Sequence, residues 1–480
     1  MKSNQATGKS QWRASVSKMP RLSDHVGFWA VALSFLAVTA FSTAPSALYG
    51  LYAQRDHLSS LTITIVYAVY AAGVVVSLML AGHVSDWYGR RAVLLPALGV
   101  AVLAAVVFLV WRSQPGLLVA RVLTGLALGV TVATATAFIT DLDERRSGVT
   151  TRRAGIVATI ANLGGLALGP LIAGLLARYE AHALTLPFIV LLVGLLAAVF
   201  LVTIAPEGHP ALDPRPRYRP QRLKAPASER RRFIAATSGA FTSFAVGGLF
   251  VGLTGTFLAQ LVHHSSPALV GLAIFLSNGA GVLAQTTTTN WPAHRLLAAG
   301  IPPIIVGVCL LVISAWTTPP SLALFLISAV IAGAGIGAMI RGCLTIVIST
   351  ASSDDRAGAV ATLFTAAYAG VSIPVIGVGV VLQHLSPRVT LLIFALAAGL
   401  AILAAAPTLV GPTADPAQPS KTEPGAMTAL CRCFAADLDD ACFGPTHESH
   451  VEPCATTDPG IEVDPTARPA GDLRANPADA

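Results

Sequence analysis

The sequence predicts an all-α membrane protein with twelve transmembrane helices in two six-helix halves. Three observations carry that expectation. Hydrophobic residues make up 54% of the 480 positions and charged residues only 11%, whereas a soluble domain is nearer a quarter charged. About a dozen long apolar stretches hold almost no charge, and one polar stretch rich in Pro and Arg divides six of them from six. The mean hydropathy is +0.69.

A span needs roughly 20 apolar residues. Its backbone groups must bond within the segment, so each span is predicted to be a helix. The runs are continuous and do not alternate, which argues against a β-barrel. The spans fall near 26–50, 58–82, 92–111, 115–140, 154–177, 183–206, 233–260, 266–289, 296–317, 319–340, 357–382 and 389–410. The first follows basic residues, as a cleaved signal would. Its uncharged run of about 25 residues exceeds the usual signal core of about 7–15, so it is expected to stay as the first helix. The N-terminal half is 26–206 and the C-terminal half 233–410. Residues 1–25 form an N-terminal segment, and 207–232 a flexible linker.

Residues 411–480 change character: acidic residues outnumber basic ones and prolines are frequent. Such a tail is not expected to fold. It holds Cys431, Cys433, Cys442, Cys454, His447 and His450, but at no strong zinc-site spacing, so no metal is expected. Cys309 and Cys343 read as helix packing.

Lysine and arginine placement sets the orientation. With the N-terminus inside, the cytoplasmic segments hold Arg90, Arg91, Arg145, Arg146, Arg152, Arg153, the arginines of the linker, Arg295, Arg341 and Arg356. The outer loops hold only Arg55, Arg112, Arg178 and Arg388. The expectation is a multi-pass protein of the plasma (inner) membrane with both termini, linker and tail in the cytoplasm, where disulfides are not expected. Topology thus accounts for the basic pI of about 9.3. No basic–aromatic pattern calls for nucleic acid.

The connection between the second and third spans reads Gly82-His83-Val84-Ser85-Asp86-Trp87-Tyr88-Gly89-Arg90-Arg91. Gly82 would let helices approach closely, and Gly89 would permit a turn with φ > 0. Asp86 would dock on the positive N-terminus of the eleventh span. Arg90 and Arg91 would pair with Asp141 or Asp143 at the inner end of the fourth span. This loop resembles the G-x-x-x-D-x-x-G-R-[RK] loop of the major facilitator superfamily of transporters, which joins the same two helices. The matching loop between the eighth and ninth spans lacks the Asp, so a symmetric gating role there is in doubt.

Arg121 stands well inside the fourth span. An intramembrane Arg costs at least roughly 2.5–3.5 kcal/mol at midplane, so a functional role is the first hypothesis and snorkelling to the near surface the alternative. Arg121-Val122-Leu123-Thr124-Gly125 resembles the family's Arg-x-x-x-Gly element, which implies substrate binding or proton coupling. Gly125 and Gly129 would form a close-packing face. The fifth span carries Gly165, Gly169, Pro170 and Gly174. These resemble the G-x-x-x-G-P-x-x-G-G element of proton-coupled exporters, with Ala173 in place of the first paired glycine. A generic small-residue interface is the other reading. Gly370, Pro374 and Gly377 in the eleventh span echo the fifth, as expected of repeated halves.

Polar residues of the central spans are the candidates for lining a cavity: Tyr67, Tyr70, Asn162, Thr242, Asn278, Gln285 and Tyr368. A helix–helix hydrogen bond is the other reading of each. No span interior holds Asp or Glu, which argues against a dedicated cation site and for neutral or anionic cargo. No catalytic motif stands in a suitable context, so no enzyme is expected. The resemblance implies a secondary transporter of small molecules, monomeric in its lipid bilayer, working by alternating access. It implies proton-coupled export of small hydrophobic molecules, with the proton gradient as energy source and no cofactor. An uptake permease or facilitator for sugars or organic anions, or a membrane sensor that moves nothing, remain alternatives.

Overall fold

The computed structural model describes residues 22–82, 84–148, 152–179, 182–207, 223–226, 229–261, 266–352 and 355–410. The N-terminal segment, most of the predicted linker, and the tail with its cysteines and histidines lie outside the described residues.

Every element described is helical. In chain order they are α1 (Asp24–Thr43), a 3-10 turn (Ala44–Leu48), α2 (Tyr49–Asp56), α3 (Ser60–Ala81), α4 (Val84–Tyr88), α5 (Arg90–Val110), α6 (Gln114–Ser147) and α7 (Arg152–Tyr179). The order continues with α8 (Leu186–Ile204), α9 (Arg230–Gln260), α10 (Pro267–Thr287), α11 (Ala293–Trp316), α12 (Leu322–Thr350), α13 (Arg356–Val381) and α14 (Pro387–Val410). Counting α1 to α2 as one, twelve are long and apolar enough to cross a membrane. Local chemistry sets their starts. The hydroxyls of Ser23, Ser59 and Ser321 cap α1, α3 and α12 by accepting from backbone N–H groups three residues on. Pro at the first turn opens α6, α8 and α10, where a missing N–H leaves no bond unmade.

Helix ends differ from the hydropathy estimate. The first span is broken by the 3-10 turn at Pro45 and runs on to Asp56. The fourth reaches Ser147 and the tenth Thr350. Arg341, expected in a loop, therefore lies inside α12. Its guanidinium donates to the carbonyls of Gln285 (3.0 Å) and Thr289 (3.1 Å) at the end of α10, where helix carbonyls lack partners.

The halves repeat each other in their close approaches. Gly169 of α7 sits on the Ala40 carbonyl of α1, and Gly370 of α13 sits on the Phe241 carbonyl of α9. Likewise Gly125 and Gly129 of α6 pack on α3, and Gly333 and Gly337 of α12 pack on α10. A side chain at any of these positions would collide with backbone or with a buried hydroxyl, so glycine is what allows the helices to meet.

The two ends of the bundle differ. Call the end holding the Gly82–Arg91 connection the loop end. At the opposite end the halves meet directly. Gly174 rests on the Pro267 carbonyl, and Gly271 rests on the Pro170 carbonyl. The Arg178 guanidinium donates to the Ser266 hydroxyl at 2.8 Å. Gly379 meets Thr64, and Ser372 donates to the Ala68 carbonyl at 3.3 Å.

Candidate functional site

The break in the first span builds the centre of the site. In a 3-10 turn the donor for the Ser42 carbonyl would be the nitrogen of Pro45, which carries no hydrogen. The Arg121 guanidinium fills the vacancy, donating to Ser42 at 2.6 Å. Its Nε donates to the Tyr49 hydroxyl at 2.7 Å, a second nitrogen also reaches Tyr49, and the Ser46 hydroxyl lies at 3.4 Å. The guanidinium carbon stands 5.2 Å from the Tyr49 ring centre and 5.5 Å from that of Tyr70, within cation–π range. Arg121 is 1% exposed, so it does not snorkel. Among the described residues no carboxylate lies within ion-pair distance of it. Tyr49 and Ser46 were not singled out in the sequence. Pro45, beside a polar Ser-Thr run, is the signal that could have found them.

Tyr67 and Tyr70 stack one turn apart on α3, with ring centres 6.4 Å apart. Tyr67 reaches the other half, where its ring fills the space a side chain at Gly252 of α9 would need. Tyr368 of α13 packs edge-on against Phe244 at 5.6 Å. One turn on, Ser372 donates to the Ala68 carbonyl of α3, which sets Tyr368 beside the helix that carries Tyr67 and Tyr70. The structure thus gathers Arg121, Tyr67, Tyr70 and Tyr368 beneath the closed end. The remaining candidates make other contacts. The Asn278 amide and the Thr242 hydroxyl bond carbonyls of their own helices at 3.2 and 3.0 Å. Asn162 on α7 is half-buried. Gln285 contributes its backbone carbonyl to Arg341.

The fifth-span motif serves two neighbours. Gly165 and Gly169 face α1, and Gly174 faces α10 in the other half. Pro170 leaves the Leu166 carbonyl without its helical donor. The Thr43 hydroxyl of α1 supplies one at 3.1 Å. Thr39 bonds the Ala161 carbonyl in the same way at 3.0 Å.

At the loop end, Gly89 has φ +93° and opens α5. Arg90, 10% exposed, donates to Asp141 (2.8 Å), to the Ser85 hydroxyl (2.9 Å) and to Asp86. Asp86 keeps a half-exposed side chain paired to Arg90, with no bond to α13 among the described residues. Arg91 departs from expectation. It pairs with Glu207 (3.6 Å) and bonds the Thr203 and Ala205 carbonyls at the end of α8. Asp143 lies 3.9 Å from Arg146. Gly82 also differs: it continues the turn ending α3, and the atom closest to an added side chain is the Leu78 carbonyl of the same helix. Lys224, from the predicted linker, is bonded to α13 through Asp355 (2.5 Å) and reciprocal bonds with Thr362.

A family model described as Major Facilitator Superfamily matches residues 30–323. The chain belongs to this superfamily. A segment of 113 residues is 37% identical to the major facilitator-type transporter psiT2 of Psilocybe cyanescens, covering 23% of this chain and 20% of that one. The match thus spans about a fifth of the curated relative's length. Solved structures share the fold at low identity. The nucleoside transporter NupG gives a TM-score of 0.59 at 15% identity, covering 80% of this chain and 98% of that one. A bacterial homolog of the human lysosomal transporter Spinster, solved inward-facing and unoccupied, gives 0.56 at 16%, covering 81% and 98%. The human organic anion transporter MFSD10 gives 0.56 at 17%, covering 80% and 98%. The protein is therefore a multi-pass membrane protein of the major facilitator superfamily.

Proposed function

We propose that this protein exports small, largely hydrophobic molecules by alternating access, driven by the proton gradient. The observation that carries the reading is the double use of the Gly165–Gly174 stretch. It binds α7 to its own half through α1 and closes one end against α10 of the other half. A helix shared in this way can carry a rocking motion between halves. With the loop end in the cytoplasm, as the basic residues favour, this conformation is closed to the outside. Asp86, now paired with Arg90, is then available to dock on α13 when the loop end closes. Asp141 and Asp143 are the candidate proton carriers, since among the described residues no Asp or Glu stands in the middle of a span. The tyrosines beneath the closed end supply an apolar, aromatic face for cargo.

A second reading, uptake or facilitated movement of an organic anion, is favoured by the positive charge of Arg121 without a carboxylate partner. Flux in reconstituted vesicles, with and without an imposed pH gradient, separates the readings. Gradient-driven movement supports coupled export. Movement of anions indifferent to the gradient supports the facilitator. An absence of flux for every compound that stabilises the protein supports a sensor.

A further inference from the structure

At the loop end, the guanidinium of Arg153, in the first turn of α7, lies over two aromatic rings of α1. Its carbon is 5.0 Å from the centre of Phe28 and 5.6 Å from that of Trp29. These two rings meet edge to face at 5.4 Å. Stacking fixes the plane of the guanidinium but uses none of its N–H donors. Among the described residues, none accepts a hydrogen bond from Arg153 or pairs with it as a carboxylate. Phe28 is buried in the bundle, whereas Trp29 is 42% exposed. Trp29 belongs to an exposed stripe of α1 with Val26 and Leu33, spaced as one helix face. On α7, the exposed Ile160 stands two turns deeper than Arg153, on the same face. The apolar stripe of α1 and the exposed Ile160 of α7 therefore lead from the Arg153–Trp29 pair into the hydrocarbon layer.

We propose that Arg153 and Trp29 form a binding site for the headgroup of an anionic phospholipid, with its acyl chains along Leu33 and Ile160. The phosphate would accept from the unfilled guanidinium donors, and the indole would sit at headgroup depth, where tryptophan partitions. Charge complementarity favours an anion at this spot. The adjoining exposed apolar residues favour a lipid over a free phosphate, which has no tails to place there. Such a site lies on the outer face of the α1–α7 pair and does not depend on which cargo the protein carries.

The test uses the full chain purified in detergent, with native mass spectrometry after addition of phosphatidylglycerol or phosphatidylcholine. The wild type is expected to retain phosphatidylglycerol in preference. Arg153→Ala should lower that retention about fivefold, the effect of one basic residue on an anionic lipid, and leave phosphatidylcholine unchanged. Arg153→Lys should fall between, because it keeps the charge but loses the planar stack. Trp29→Leu, a change at an exposed position, should lower retention with an unfolding temperature near wild type in lipid-free detergent; this variant decides the matter if Arg153→Ala fails to fold. Wild-type retention in both Arg153→Ala and Trp29→Leu would overturn the proposal. So would thermal stabilisation of the wild type by inorganic phosphate equal to that by phosphatidylglycerol, which would assign the site to a free anion.

Discussion

The Arg121 guanidinium donates to the carbonyl of Ser42 at 2.6 Å. One residue thereby spans α6 and the broken first helix, and holds a carbonyl that Pro45 leaves without a donor. An arginine in this place does structural work before it does any transport. Arg121→Ala would leave buried polar groups unsatisfied, at about 1–3 kcal/mol for each. It is expected to abolish nearly all flux and lower the unfolding temperature by several degrees. Arg121→Lys keeps the charge but has one ammonium to serve Ser42 and Tyr49, and should retain part of the flux. Flux per inserted protein and thermal unfolding of both variants check this. An Ala variant that transports as well as wild type removes Arg121 from the site.

Thr43 and Pro170 form a second pair of the same kind. Because Thr43 serves the Leu166 carbonyl that Pro170 orphans, Thr43→Val should cost about 1 kcal/mol, within the range for interhelical hydrogen bonds in membranes. In a Pro170→Ala background, where a helical N–H returns, the same change should cost clearly less. Unfolding free energies of the four proteins in a double-mutant cycle measure the coupling. Additive costs would show that the hydroxyl does not answer the proline.

The reciprocal contacts of Gly174 on Pro267 and Gly271 on Pro170 hold the closed end. A Cβ at Gly174 would stand 2.3 Å from the Pro267 carbonyl oxygen, so Gly174→Val must push the halves apart there. Membrane insertion should be normal, since the position faces another helix and not the lipid. Flux should fall more than about tenfold, because one of the two alternating states is blocked. The check is transport at matched expression; undiminished flux would mean that closure of this end does not depend on the glycine.

Asp86→Asn removes the charge proposed to dock on the N-terminus of α13 while leaving a side chain of the same size. In the present conformation Asp86 is half-exposed and, among the described residues, its ion pair is with Arg90, which keeps Asp141 and Ser85 as partners; a pair screened by water on the Asp86 side contributes about 1 kcal/mol or less. Folding stability should therefore hardly change while flux falls severalfold. Equal flux at equal insertion would withdraw the gating role.

Much of the fold was legible because lipid imposes one rule on every span: an apolar run long enough to cross, bonded within itself. Helix ends were less legible. Hydropathy marks where a segment leaves the hydrocarbon, not where its hydrogen bonding stops, and α12 runs on past Arg341 to Thr350. A basic residue at the edge of an apolar run reads as a topology signal, so the capping of α10 by Arg341 stayed hidden. The pairing of Arg90 with Asp141 follows from their shared end of the bundle. That of Arg91 with Glu207 needs α8 placed beside α5, which no local pattern gives. Pro170 announced a lost backbone donor but not the Thr43 hydroxyl that answers it, and Pro45 was not read at all. For Asn278 and Thr242, the sequence could not tell a cavity wall from a bond to the residue's own helix, since short polar side chains reach both.

In alternating access, the end closed here opens as the loop end closes. Spin labels at Arg178→Cys and Ser266→Cys, which flank the closed end, report that motion in reconstituted protein through the distance between them. The expected result is a short distance that gives way to a second, longer population when a transported compound and a pH gradient are supplied together, with Gly174→Val shifted to the longer population from the outset. A single short distance under conditions where flux is measured would contradict it.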